Sequence, residues 1–122
     1  MQYWLKLVGT TEDPVDRWDE DYVNYARQPA VRKGDLLVLQ ATRHRRLIGI
    51  VKCTSDPIPN KGFKDQWGTH RTTIKDILPR RSPVAAGPHV RNTNFKPRSY
   101  GPELIEITKE DYEDAVAALS SK

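Results

Sequence analysis

Trp18 opens a polar segment that reads Trp18-Asp19-Glu20-Asp21-Tyr22-Val23-Asn24-Tyr25-Ala26-Arg27. Indole and phenol rings offer flat π faces, and Asp and Asn side chains offer hydrogen-bonding edges. Together they suit a flat polar ring such as a nucleobase. A stacked base is worth about 1–3 kcal/mol, and Asp19, Asn24 or Gln40 can pair with its edge. A base taken from a duplex must first be flipped out, at a cost of a few kcal/mol. One stack roughly offsets that cost, so net affinity has to come from contacts to the nucleic-acid backbone. Trp18 follows an acidic, proline-containing loop outside any apolar run, which makes it the first candidate wall of a base pocket. Trp67, set between polar residues and glycine, is the second. Trp4 lies on an alternating strand, where core or rim placement competes with pocket contact. Tyr25 either joins the pocket or closes a short helix against a sheet, and Asn24 either reads a base or caps backbone. Gln40 ends a strand on the face of Leu36 and Val38, where a buried polar group needs a partner.

The backbone contacts have an evident source. Residues 43–100 carry thirteen Lys/Arg against three Asp/Glu, while residues 1–42 and 101–122 are each net acidic. A basic middle favours a polyanion, and nucleic acid is the commonest one. Arg43-His44-Arg45-Arg46 is the densest run, placed at a hairpin tip where like charges repel unless a phosphate comes between them. Arg27, Arg80, Arg81, Lys96 and Arg98 join it as phosphate-contact candidates. A solvated basic surface accounts for the same charges without a ligand.

Catalysis finds little support. His44, His70 and His89 are scattered and lack metal-ligand spacing with cysteine or carboxylate. No Ser-His-Asp ordering, P-loop or glycine-rich dinucleotide motif is present. Asp19, Glu20 and Asp21 are adjacent and read as a diffuse acidic loop. The expectation is binding without turnover, with no metal and no cofactor.

The elements that position these residues are short. Gln2 to Val8 alternates as a half-buried strand. Asp21 to Gln28 reads as a short helix stopped by Pro29. Lys33-Gly34-Asp35 turns into a strand over Leu36 to Ala41, and Thr42 to Arg45 connects it to a central strand over Leu47 to Cys53, apolar on both faces. Trp67 to Ile77 is an extended, threonine-rich segment. Residues 79 to 102 carry five prolines and form one long irregular connection. Leu104 to Ile107 is a last strand. Thr108 caps a helix with Asp111 as the capping-box acid, and Tyr112, Ala115, Val116 and Leu119 give it one apolar stripe.

At 122 residues the chain makes one domain, 1–122, with a modest core, since hydrophobic residues are 37%. The single cysteine, Cys53, excludes an internal disulfide and fits a reducing compartment. No apolar run approaches membrane-spanning length and Met1-Gln2-Tyr3 lacks the basic start of a signal peptide. A cytoplasmic location is expected.

Several of these features, in order along nearly the whole chain, resemble the EVE domain, a member of the PUA superfamily related to YTH domains. Tyr3-Trp4-Leu5 resembles its opening strand. Trp18-Asp19 with Asn24-Tyr25 and Arg27 resembles its pocket segment. Gly34-Asp35 and Ile48-Gly49-Ile50-Val51 resemble its central hairpin, and Trp67 falls where an aromatic begins a later strand. Ile105-Glu106-Ile107-Thr108-Lys109-Glu110-Asp111-Tyr112 resembles its final strand and helix. Lys6-Leu7-Val8-Gly9 stands where the family often carries Lys-Ser-Glu-Pro, and Gln40 where it often carries His. The resemblance implies an α+β, PUA-like pseudobarrel, a curved and mostly antiparallel sheet flanked by short helices. It also implies a module that reads a modified base in nucleic acid, in some relatives an altered cytosine in DNA, in company with a nuclease domain or subunit of a larger protein. An RNA-binding module, or a protein-interaction domain with no nucleic-acid ligand, is the alternative.

Overall fold

A computed structural model describes residues 1–9, 18, 20–60, 68–97 and 103–120. Its centre is the pair of strands with the most apolar sequence, β3 (Leu36–Ala41) and β4 (Leu47–Cys53). Their β-branched and leucine side chains are buried on both faces, as expected of strands with neighbours above and below. Added to them are β1 (Tyr3–Val8), β2 (Tyr22–Tyr25), β5 (Ile58–Pro59), β6 (His70–Leu78) and β7 (Leu104–Ile107), in the order β2-β6-β4-β3-β1-β7, with β5 also on β6. Every pairing is antiparallel except β1 with β3. One helix, α1 (Lys109–Ser120), follows β7. The sheet curls into a half-barrel, an α+β fold with barrel-like character.

The curl creates two apolar layers. Inside it lie Trp4, Val8, Val23, Tyr25, Leu37, Leu39, Ile48, Cys53 and Ile74. Outside it, Leu5, Val38, Leu47, Ile50 and Ile107 pack against Ala115 and Leu119 of α1 and against Phe95. The stripe of α1 therefore faces the sheet as its spacing requires. The capping box at its start is formed on both sides: Thr108 Oγ1 accepts from Asp111 N at 3.0 Å, and Asp111 Oδ2 accepts from Thr108 N at 3.1 Å. Among the described residues no helix is long and apolar enough to cross a membrane.

Two expectations need correction. The segment expected to be helical from Asp21 to Gln28 holds β2, paired with Thr73 to His70 of β6. Tyr22, Val23 and Tyr25 favour a pleated surface, and the alternation that decides the matter is Val23 and Tyr25 inward, Tyr22 and Asn24 half-exposed. Among the described residues the sheet is not flanked by several short helices either. Among the described residues α1 is the single α-helix, and the irregular 79–97 stretch contributes two turns of 3-10 helix, at Val84–Ala86 and Val90–Asn92.

Candidate nucleic-acid interface

The half-barrel has a seam. β2 and β7 are its two edge strands, and the curl brings them face to face. Edge strands present unpaired backbone groups, and here one of them is met by a side chain: Glu103, just before β7, accepts a hydrogen bond from the backbone N–H of Ala26, just after β2. Its second oxygen lies 3.1 Å from Lys6 Nζ. Lys6 sits on β1 between Trp4 and Val8, on the inner face, and its side chain is 4% exposed against 37% for Glu103. The ammonium also donates to the carbonyl of Leu7 at 2.8 Å and lies 5.5 Å from the centre of the Tyr25 ring. Burial pulls the Lys6 ammonium below the usual lysine range, and the Glu103 carboxylate pushes it part of the way back.

This link divides the seam into two clefts. The first, about 530 Å³, is lined by Lys6, Val8, Gly9, Trp18, Tyr22, Asn24 and Glu103, among others. The second, about 720 Å³, lies along Trp4, Tyr25, the segment Ala26 to Ala30, and Leu104. Both are within the range of small-ligand sites. The first combines an indole, an amide and charged side chains. Trp18 is half-buried against the inner core and presents its remaining surface to the cleft. The Arg80 guanidinium lies 5.3 Å from the centre of the indole, braced by Asp76 at 2.8 Å and by the carbonyl of Glu20. Gly49 makes room for this arm, since a Cβ there would stand 2.9 Å from Arg80 Cγ. Asn24 is oriented by Asn60, whose Nδ2 donates to Asn24 Oδ1 at 3.3 Å and to the carbonyl of Gly68 at 3.2 Å.

Trp18 and Asn24 are thus brought together on one cleft. The other expected pocket residues are not. Tyr25 is fully buried, its hydroxyl 2.9 Å from Thr72 Oγ1, so its ring is part of the core, and it borders the second cleft rather than the first. Burial, and then the proximity of Cys53, push that phenol above the usual tyrosine range. Trp4 is likewise core: its indole Nε1 donates to Asp35 Oδ2 at 3.0 Å. Gln40 falls on the wrong face. It pairs with Leu7 in β1, and both lie opposite in parity to Trp4, Lys6 and Val8, so Gln40 points toward the α1 side of the sheet. There its Oε1 is buried without a hydrogen-bond partner. Asp19 and Trp67 lie outside the described residues.

Three of the basic residues, Arg43, Arg45 and Arg46, stand at the β3–β4 turn. Thr42, at the start of the β3–β4 turn, donates to the carbonyl of Val8 at 3.1 Å, and Val8 lines the first cleft. Arg43 and Arg45 are exposed on that turn, with Arg45 in the left-handed region at φ 52°. The expected phosphate contacts divide here. Arg46 Nη1 holds the carbonyl of Gly87 at 2.7 Å, and its backbone pairs with His89. Arg81 Nη2 holds the carbonyl of Leu119 at 2.7 Å, near the last turn of α1. These two, with Arg80, act first within the fold. His89 sits among Arg91, Arg46 and Arg45; partial burial and those charges lower its imidazole below the usual histidine range. Arg27 is exposed beside the second cleft, Lys96 is exposed, and Arg98 lies outside the described residues. Three residues escaped the sequence reading. Asp35 is buried and collects Trp4 Nε1, Arg32 N and Gln2 N. Lys6 carried a signal, a cation on an inner strand face. Glu103 carried none, because its partners lie 77 and 97 positions away.

Among the described residues no group of His, Cys, Asp and Glu is placed to hold a metal ion. No family model and no curated protein matches the chain. Chains of solved structures do, among them two bacterial proteins. The NMR structure of Rpa0253 from Rhodopseudomonas palustris superposes with a TM-score of 0.61 at 17% identity, over 100% of this chain and 97% of that one. The X-ray crystal structure of Atu2648 from Agrobacterium tumefaciens does so with a TM-score of 0.55 at 18% identity, over 97% and 93%. At such identity the likeness is one of fold alone.

Proposed function

We propose that this chain is a nucleic-acid-binding module of the PUA-like, EVE-type class that reads a modified base, a flipped modified cytosine in DNA foremost, and does so without turnover. The observation that carries the reading is the coincidence of two features at one end of the half-barrel. A cleft walled by Trp18 and edged by Asn24 opens there, and the exposed Arg43 and Arg45 stand on the adjoining turn. The indole supplies the stacking face. Asn24, Lys6 and Glu103 supply polar groups of three kinds for a base edge. The arginines supply the sequence-independent attraction that a flipped base requires. A larger protein with a nuclease domain or subunit is the setting in which such a reader would act.

The test is a binding screen of purified protein against matched DNA and RNA oligonucleotides, plain or carrying modified cytosines and adenines. Trp18→Ala is measured beside the parent chain. A preference of tenfold or more for one modification is expected. Trp18→Ala should remove about 1–3 kcal/mol from that ligand and leave plain nucleic acid nearly unchanged. Equal loss on every ligand, with a large fall in melting temperature, assigns Trp18 to the core and ends the base reading. Salt-insensitive capture of a protein, with no oligonucleotide bound, would support an interaction domain instead.

A further inference from the structure

A second charged surface lies on the outer face of the sheet, away from the β3–β4 turn. Tyr3, Leu36, Lys52 and Lys75 form one row across β1, β3, β4 and β6. Helix α1 covers the first end of the row, where the Tyr3 and Tyr112 ring centres are 4.7 Å apart. The other end is left exposed, and it is a pair of lysines directly opposite each other on adjacent strands. Side chains so placed have Cβ atoms roughly 5 Å apart, and like charges there destabilise a sheet. No carboxylate lies within 4.0 Å of either lysine among the described residues; the neighbouring Asp76 is drawn to Arg80. Next along β6 on the same face come Thr73 and Arg71, with Thr73 Oγ1 2.6 Å from Thr54 Oγ1. The stripe from Lys75 to Arg71 is about 13 Å long.

Its position gives it meaning. Thr73 and Arg71 pair with Tyr22 and Asn24 of β2, and both of those line the first cleft. The Arg71 guanidinium lies 5.7 Å from the centre of the Tyr22 ring. The cations of the outer face therefore continue the rim of the base cleft, on the side away from Trp18 and Arg80.

We infer that Lys52 and Lys75, with Arg71, Thr73 and Thr54 beside them, form a track for the phosphodiester backbone of a nucleic-acid strand that leaves the cleft across β2. This rests on the base-reading function proposed above and adds to it a second backbone contact independent of the arginine turn. An unscreened pair of cations costs stability and is offset when a phosphate lies between them. Thr54 and Thr73 offer hydroxyls to the same oxygens, and the Tyr22 ring offers a face to the neighbouring base.

The experiment uses single-stranded oligonucleotides, modified and plain, long enough to extend beyond the cleft on both sides. Affinity is measured against salt for the parent chain, for Lys52→Ala/Lys75→Ala and for Lys52→Glu. Each lost single-strand phosphate contact lowers the log–log salt slope by about 0.7, so the double variant should lose roughly 1.4. The loss should be the same for modified and plain strands. Lys52→Glu, which changes the charge by the same two units, should also bind more weakly than the parent while melting at a higher temperature, because it turns a like-charged cross-strand pair into an opposite-charged one. Binding lost and stability gained together is an outcome that a purely structural lysine pair does not produce. Parent protein that binds oligonucleotides, with an unchanged slope in the double variant, overturns the track and leaves the base reading standing. A reduced slope with no preference for any modification overturns the base reading and leaves the track. Failure of the parent chain to bind any oligonucleotide overturns both.

Discussion

Glu103→Gln isolates the ion pair that divides the seam. In the folded chain it leaves the Lys6 ammonium buried beside an amide. Removing one partner of a fully buried ion pair costs about 3–5 kcal/mol. Here the loss is smaller. Glu103 is 37% exposed, so water screens part of the attraction, and Lys6 keeps the Leu7 carbonyl and the Tyr25 ring. We expect about 2 kcal/mol, which for a chain of this size lowers Tm by roughly 6–10 °C. Lys6→Met should behave differently. It removes the buried charge, fills the same space and leaves Glu103 its Ala26 N–H and solvent, so a change within about 1 kcal/mol is expected. The double variant should then recover most of what Glu103→Gln loses. pH supplies an independent readout. The folded Lys6 lies below the ordinary lysine value of 10.5, so the unfolded chain holds its proton more tightly. Stability therefore rises with pH between the folded and unfolded values. Glu103→Gln removes the charge that raises the folded value, which extends that rise toward neutral pH. Calorimetric melting at pH 7 and pH 9.5 measures both effects. Lys6→Met costing as much as Glu103→Gln, or a pH dependence unaltered by Glu103→Gln, would refute the argument.

Two further outcomes follow from the same geometry. Arg43→Ala with Arg45→Ala should flatten the salt dependence on duplex DNA by about 0.9 per lost contact and leave Tm in place, because both side chains are exposed on the turn; an unchanged slope removes the turn from the interface. Thr108→Ala should cost about 1 kcal/mol of stability by opening the capping box of α1, read as a lower urea midpoint with oligonucleotide affinity unaltered.

Where composition alone decided the geometry, the sequence was legible. β3, β4 and β7 run over the residues that their apolar patterns mark, and α1 starts at Thr108 and buries the stripe that its spacing defines. Trp18 stands in a polar, proline-containing segment outside any apolar run; it both packs against the inner core and lines the first cleft. β2 was misread as a helix because four residues are too few for periodicity to discriminate, and its ladder to β6 begins more than forty positions later.

The sequence by itself determined the strands that are apolar on both faces, the capped helix, the concentration of cations in the middle of the chain and the presence of aromatic rings close to polar side chains. Each of these follows from local pattern or from summed charge. Only the tertiary structure decided which of those rings share a cleft. Trp4 and Tyr25 entered the core because Asp35 and Thr72, supplied by other elements, satisfy their polar atoms. Gln40 went to the outer face because the parallel register with β1 assigns it there. Glu103 reached Lys6 and Ala26 because the curl of the sheet closes its two edges on each other. Lys52 met Lys75 because a bulge between Ile50 and Val51 sets the register of β4 on β6. Contacts of this kind depend on register and curvature, which sum over the whole sheet and leave no mark on any one segment.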